Sequence, residues 1–244
     1  MILLIRNAIF CIAIFAITLT YALLAIFIMH SYKTSRKVAM LWCFLIFKCS
    51  KYIVGINYKV HNEKLIRSRG VIIACNHCSA WETFFLAYYF NVPVFILKRS
   101  LFHIPLIGLF CKALGMIGID RNSYSKKHRA HIVSRTNYEL SRKRNIVIFP
   151  QGTRVPSGET YNYEKFPYKP GITIFAGGHK VVTASTNARK CFGKSLFSFK
   201  KSGQIDIIFN ESISFEKDAS KDEILSKVRT SIENGCKKLD GISV

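Results

Sequence analysis

The sequence predicts an α/β domain built on a largely parallel sheet, preceded by an N-terminal membrane-anchoring pair of helices. Three observations predict it: an uncharged apolar run near the N-terminus, short β-branched runs alternating with longer helical stretches from Gly70 onward, and polar residues placed directly after several of those runs. At 244 residues the chain has room for one large core plus an appendage, because single cores grow to about 250 residues before they split. No internal repeat, low-complexity tract or linker separates a second globular unit, so residues 1–55 read as the anchor and 56–244 as one domain.

The anchor comes first in the chain. Asn7 to Met29 carries no charged residue, and about 20 apolar residues at 1.5 Å rise suffice to cross a bilayer core. A cleaved signal peptide has an apolar region of about 7 to 15 residues ending in small side chains. This run is longer and ends in Phe27-Ile28-Met29-His30, which favours retention. Lys33, Arg36 and Lys37 follow it, against Arg6 and the amino terminus before it, so a spanning helix would leave the downstream domain in the cytoplasm. The next apolar block, Val38 to Phe47, is too short to span alone. With Lys48 and Lys51 it reads as an interfacial or re-entrant helix over about 38–52.

From Gly70 the strands are expected at Val71 to Cys75, Val92 to Leu97, Met116 to Asp120, Ile146 to Phe149, Val181 to Ala184 and Ile205 to Phe209. Helices fit between most of them, including a basic amphipathic one over Ser125 to Arg144, and a terminal one over Ala219 to Leu239. Such alternation implies a parallel sheet whose ligands sit in loops at the carboxyl ends of the strands. Of the eight cysteines, Cys11, Cys43, Cys75 and Cys111 lie inside apolar runs and read as buried thiols, not a disulfide framework. The 36 Lys and Arg against 14 Asp and Glu give +22, which attracts nucleic acid, an anionic bilayer, acidic carrier proteins or phosphorylated substrates alike. A lysine-rich composition bias explains part of that excess equally well.

The chemistry concentrates in Asn76-His77-Cys78-Ser79-Ala80-Trp81-Glu82. His77 follows a strand directly, where a side chain projects into a cleft. A neutral imidazole there can act as general base on a hydroxyl, and a carboxylate on its other ring nitrogen would fix the tautomer. Glu82 is the candidate carboxylate. Ser79-Ala80-Trp81-Glu82 also has the form of a capping box, with Ser79 as N-cap and Glu82 returning to its backbone N–H, and the two readings are compatible. Further along, Phe149-Pro150-Gln151-Gly152-Thr153-Arg154 follows another strand. There Gly152 permits close backbone approach, Thr153 offers a hydroxyl donor, and Arg154 a planar fork for phosphate.

These segments resemble the glycerolipid acyltransferase family, whose first block is N-H-x-S-x-x-D and whose third is F-P-E-G-T-R. Between them Lys98-Arg99-Ser100-Leu101, then Pro105 and Gly108, then Gly118-Ile119-Asp120-Arg121 resemble the second block in order, and the resemblance runs from Val71 to about Phe209. It implies that His77 and Glu82 are catalytic, that Arg121, Gln151, Gly152, Thr153 and Arg154 bind the phosphate and glycerol of the substrate, and that no metal or cofactor is needed. It further implies transfer of an acyl group from acyl-CoA or acyl carrier protein to the sn-2 hydroxyl of lysophosphatidic acid, giving phosphatidic acid at the cytoplasmic face of the inner membrane, with anionic membrane lipid as neighbour. Glycerol 3-phosphate is the alternative acceptor. The chain departs from the pattern at Glu82 for Asp, at Gln151 for Glu, and at Val181-Val182-Thr183 where a Val-Pro pair is usual; Tyr168-Lys169-Pro170-Gly171 fits the approach to a helix, with Lys169 as a phosphate contact.

Two other classes are weighed on the residues. Cys75-x-x-Cys78 with His128-x-x-His131 invites zinc or redox chemistry, but Cys75 alternates into a strand and the spacings suit neither. A membrane-tethered nucleic-acid binder would explain the charge, yet no zinc-finger, RNP-type or homeodomain-like pattern is present and the basic residues are spread along the chain.

Overall fold

The computed structural model describes residues 1–28, 31–64, 69–104, 107–120, 126–155, 170–174 and 176–241. An apolar helix, α1 (Ile2–Ile28), is followed by α2 (Tyr32–Cys49), whose N-terminus is capped by Ser31. This second helix is longer than the apolar block predicts, because the Ser31 hydroxyl starts it ahead of Lys33, Arg36 and Lys37 and draws those cations into its first turns. A wide turn, Ser50–Val54, closes on left-handed Gly55 and delivers the chain to β1 (Ile56–His61).

The remaining elements are β2 (Ile72–Cys75), α3 (Trp81–Tyr89), β3 (Val94–Lys98), α4 (Ile107–Ala113), β4 (Ile117–Ile119), α5 (Lys126–Ser141), β5 (Ile146–Ile148), β6 (Lys180–Thr186), α6 (Arg189–Phe192), β7 (Gly203–Ser214) and α7 (Lys221–Asp240). The strands form one sheet in the order β1-β7-β6-β2-β5-β3-β4. From β6 to β4 all pairs are parallel, whereas β7 runs antiparallel to β6 and carries β1 parallel beside it. The largely parallel sheet is thus as the sequence predicts. β1 is unannounced, since Ile56 to His61 mixes polar and apolar residues and its middle is exposed at the sheet edge. The basic helix α5 stops short of the expected end at Arg144, and Lys143 lies in left-handed backbone beyond it.

The sheet separates two cores, and strand alternation assigns residues to them. Ile73 and Cys75 of β2 join Trp81, Phe85 and Leu86 of α3 and Ile46 of α2 on one side; Ile72 and Ala74 join Ile132 of α5 and Ile224, Val228 and Ile232 of α7 on the other. Burial on both faces is what keeps the central strands apolar throughout.

Helices α1 and α2 share the first of these cores. Phe10 and Ile14 of α1 are fully buried, each contributing about 2 kcal/mol by removal of apolar area from water. Trp42 of α2 donates to the Thr18 hydroxyl at 3.2 Å and meets Phe84 of α3 edge to face. On its other side α1 exposes Leu4, Ile5, Ile12, Phe15, Leu19 and Leu23, and its segment Ile2–Leu23 is long and apolar enough to cross a membrane.

One polar contact locks α1 in place. Asn7 donates through Nδ2 to the Lys200 carbonyl at 2.9 Å and accepts from the Lys200 backbone N–H at 2.8 Å. The Lys200 side chain is itself buried, its ammonium 4.5 Å from the ring centres of both Phe10 and Phe192 and bonded to the carbonyls of Leu196 and Ser198. Burial pushes the Lys200 amine down from 10.5 to about 8. Between those two values the unfolded chain holds a proton that the folded chain has released, so this group adds stability as pH rises through that window. We therefore expect the unfolding free energy of the detergent-solubilised protein, relative to Lys200→Met, to rise in favour of the wild type between pH 8 and 10, by roughly 2 kcal/mol. Parallel stability curves for the two proteins would contradict this.

Candidate active site

The carboxyl ends of β2, β5 and β6 meet where the strand order reverses, since the chain leaves β2 toward β3 on one side and later returns to β6 on the other. Open α/β sheets form a crevice at such a point. Asn76, one residue past β2, fixes that crevice: its amide donates to the Thr186 carbonyl and accepts from the Thr186 N–H, both at 2.9 Å. The side chain continues the β2–β6 ladder beyond its last backbone pair and holds the following residue off the sheet.

That residue is His77. Its backbone N–H donates to Gln151 Oε1 at 2.7 Å, and its carbonyl accepts from Val155 N–H at 2.8 Å, so the loop after β2 is stitched to the loop after β5. Gly152 makes this possible, because its φ of 70° turns the chain in a conformation that an L side chain rarely adopts. The imidazole stacks on Phe149 with ring centres 4.2 Å apart and planes inclined by 19°.

Glu82 lies fully buried in the first turn of α3. Its Oε1 accepts from His77 Nδ1 at 2.8 Å, from Cys78 N–H at 2.8 Å and from Ser79 N–H at 2.7 Å. Three donors and the positive end of a helix offset the desolvation of the carboxylate. Its Oε2 has no partner among the described residues. The expected capping box is only half present: Glu82 returns to the Ser79 N–H, but the N-cap position is Ala80. The Ser79 hydroxyl accepts from Trp81 N–H and donates to the Gly193 carbonyl at 2.6 Å. Ser79 is drawn away from the cap because the loop after α6 supplies a buried acceptor.

With Nδ1 committed to Glu82, Nε2 has no partner among the described residues and is the nitrogen that His77 can offer a ligand. The cleft beside it has a volume of about 400 Å³ and is lined by apolar Phe95, Leu97, Leu101, Ile119 and Ile148 and by the cations Lys98, Arg154 and Lys194, with no carboxylate among the lining residues. Arg154 holds a buried Nε–H that meets no acceptor among the described residues, and an orphaned buried donor of that kind calls for a ligand. Gly152 and Thr153 also line the cleft, while Gln151 is buried behind it against His77. Arg121, Lys169 and Pro105 lie outside the described residues; Asp120, the last described residue before Arg121, follows β4.

Other expectations resolve on geometry. Thr183 bonds through its hydroxyl to Ser231 of α7 at 2.6 Å and to the Asn210 amide, so it faces α7 and not the cleft. Cys75 and Cys78 are buried, and burial pushes both thiols well above their ordinary range; the Cys75 sulfur meets Asn76 Oδ1 and the Cys78 sulfur the Thr186 carbonyl. Lys194 carries no motif and reaches the cleft only through a tertiary contact of its neighbour Gly193 with Ser79, so no local pattern announces it.

Comparison with known proteins gives one consistent family. A protein of Pseudomonas aeruginosa named 1-acyl-sn-glycerol-3-phosphate acyltransferase is 29% identical over 183 residues, which cover 74% of this chain and 68% of that one. Proteins of the same name from Borreliella burgdorferi and Helicobacter pylori are 30% and 35% identical over shorter stretches, covering 57% and 43% of this chain and 56% and 42% of their own. The crystal structure of the 1-acyl-sn-glycerophosphate (LPA) acyltransferase PlsC from Thermotoga maritima shares the fold, with a TM-score of 0.68 at 19% identity over 96% of this chain and 97% of that one. The profile of the Acyltransferase family matches residues 57–185. That stretch is over half of the chain and carries the His77–Glu82 pair with the Gln151 to Arg154 loop that braces it, and the protein belongs to the Acyltransferase family.

Proposed function

We propose that this chain acylates the sn-2 hydroxyl of lysophosphatidate with an acyl group carried as a thioester on coenzyme A or acyl carrier protein, giving phosphatidate. The observation that carries this reading is His77 held at 2.8 Å by buried Glu82, with its other ring nitrogen turned to a cleft that pairs apolar walls with cations. The names of the related proteins from Pseudomonas aeruginosa, Borreliella burgdorferi and Helicobacter pylori support the same acceptor.

In this mechanism His77 Nε2 takes the proton of the acceptor hydroxyl as its oxygen attacks the thioester carbonyl. Glu82 holds the tautomer with Nδ1–H and stabilises the imidazolium that forms. The C–S bond then breaks, and the departing thiolate recovers the proton from His77. No covalent acyl-enzyme is formed. Arg154, joined by Arg121, binds the phosphate, and the apolar wall at Phe95, Leu97, Leu101, Ile119 and Ile148 receives an acyl chain.

The same reading sets the protein on the cytoplasmic face of the inner membrane. Lys33, Arg36 and Lys37 follow α1 and suit contact with the anionic lipid of a cytoplasmic leaflet. Residues 1–55 serve as the anchor of a catalytic unit over 56–244, with the apolar side of α1 that the docking of Phe10 and Ile14 leaves exposed turned toward lipid.

Three outcomes are expected from membranes supplied with each acceptor and each acyl donor, with the lipid product identified by mass spectrometry. Phosphatidate forms from lysophosphatidate; product from glycerol 3-phosphate alone would reassign the acceptor. His77→Ala lowers kcat about 10²- to 10⁴-fold while the protein stays folded and membrane-bound; retained turnover would sink the mechanism. Glu82→Gln, which keeps the shape but removes the charge opposite the imidazolium, lowers kcat by at least about tenfold with little change in KM, as loss of a contact made mainly in the transition state requires.

A further inference from the structure

We propose that Lys194 is a further contact for the phosphate of the acyl acceptor, held beside His77 by a strap that the anchor helix clamps; this rests on the acyl-transfer reading above. Lys194 lines the same cleft as His77 and Arg154 and has no carboxylate partner among the described residues. It belongs to none of the segments that resemble the family's blocks, and it lies beyond residues 57–185, where the family profile ends.

The strap runs from Gly193 to Lys200 and is built as a closed loop. Gly193 has φ 73°, and a Cβ there would stand 2.8 Å from Ser198 Cβ and 2.9 Å from the Phe199 carbonyl oxygen, so the chain folds tightly back on itself. Ser195 N–H donates to Ser198 Oγ at 2.9 Å, and Lys200 Nζ ties down the carbonyls of Leu196 and Ser198 at 2.7 and 2.8 Å. One end of the strap is bonded to the active-site loop, Ser79 Oγ to the Gly193 carbonyl at 2.6 Å. The other end is bonded to α1 through the reciprocal Asn7–Lys200 pair. The backbone of Lys194 is therefore fixed, although its side chain is solvent-accessible and free to turn to a ligand.

The chemistry of the acceptor selects its role. The attacking hydroxyl and the phosphate of a lysophosphatidate sit on neighbouring carbons of one glycerol, so the cations that hold the phosphate have to stand within a side chain's length of His77. Lys194 meets that condition, since its neighbour Gly193 is hydrogen-bonded to a residue two positions from His77. A phosphate monoester carries close to two negative charges near neutral pH. Arg154 presents a directional fork, and a lysine adds a compact charge that tolerates the small shifts of a reacting phosphate.

The test uses the full-length protein in membranes and in detergent micelles. Lys194→Ala should raise KM for lysophosphatidate about tenfold, a charge-assisted bond being of that size, with a smaller effect on kcat, an unchanged KM for acyl-CoA and an unchanged thermal midpoint. Lys194→Arg should recover most of the loss, because it restores the charge. An unchanged acceptor KM would overturn the proposal, as would a rise in the acyl-CoA KM in its place, or a loss of activity that follows loss of stability. Asn7→Ala, which loosens the strap at its far end without touching the cleft, should raise the same acceptor KM by a smaller factor. Titration of lysophosphatidate into the His77→Ala protein by calorimetry gives a readout that needs no turnover. Binding there weakened by adding Lys194→Ala supports the phosphate contact even if wild-type membranes form no phosphatidate, a result that would sink only the assigned reaction.

Discussion

A single carboxylate oxygen, Glu82 Oε1, gathers the Nδ1–H of His77 and the backbone N–H groups of Cys78 and Ser79. A buried carboxylate is tolerated only where donors surround it, and here the donors are the loop it must organise. The imidazole cannot rotate without stranding a buried charge, and the loop cannot relax without doing the same. Everything else around the cleft braces this arrangement: Asn76 fixes the loop to β6, Gln151 and Val155 fix it to the segment after β5, and Ser79 fixes it to the strap. Each bond comes from a different part of the chain, so the orientation of one ring depends on the assembled sheet.

How much of this was legible in the sequence follows from distance along the chain. His77 and Glu82 are five residues apart and the Gln151 to Arg154 loop is contiguous, so their pattern can be read directly. The parallel sheet was legible because strands buried on both faces must be apolar throughout. The edge strand β1 was not, because exposure removes that signature. Asn76 could be read as a motif residue but not as a ladder extension, its partner Thr186 being 110 positions away. Two of the departures from the family pattern, Gln151 and Glu82, are accommodated locally. Residue 151 has to accept a hydrogen bond from the His77 N–H, which an amide oxygen does as well as a carboxylate. Residue 82 meets three donors from within the first turn of α3, and glutamate does so with its carboxylate fully buried.

The N-terminal helix α1 and the active site are one structure and not two units joined by a tether. Phe10 and Ile14 belong to the same core as Trp81 and Phe85 of α3, the helix that carries Glu82. The seating of α1 and the orientation of the ring thus draw on shared packing, and the interior of a protein transmits displacement because it is close-packed.

The Asn7–Lys200 pair also imposes an order in time. The two residues are 193 positions apart, and at roughly 5 to 20 residues per second synthesis takes about 10 to 40 seconds to travel from one to the other. During that interval α1 exists before its docking surface does, with a polar amide on the side destined to be covered. The Asn7 amide has an interim partner in its own helix, the Leu3 carbonyl at 2.9 Å. The helix can wait with that group satisfied, and the emerging strap then adds a second acceptor to the same amide.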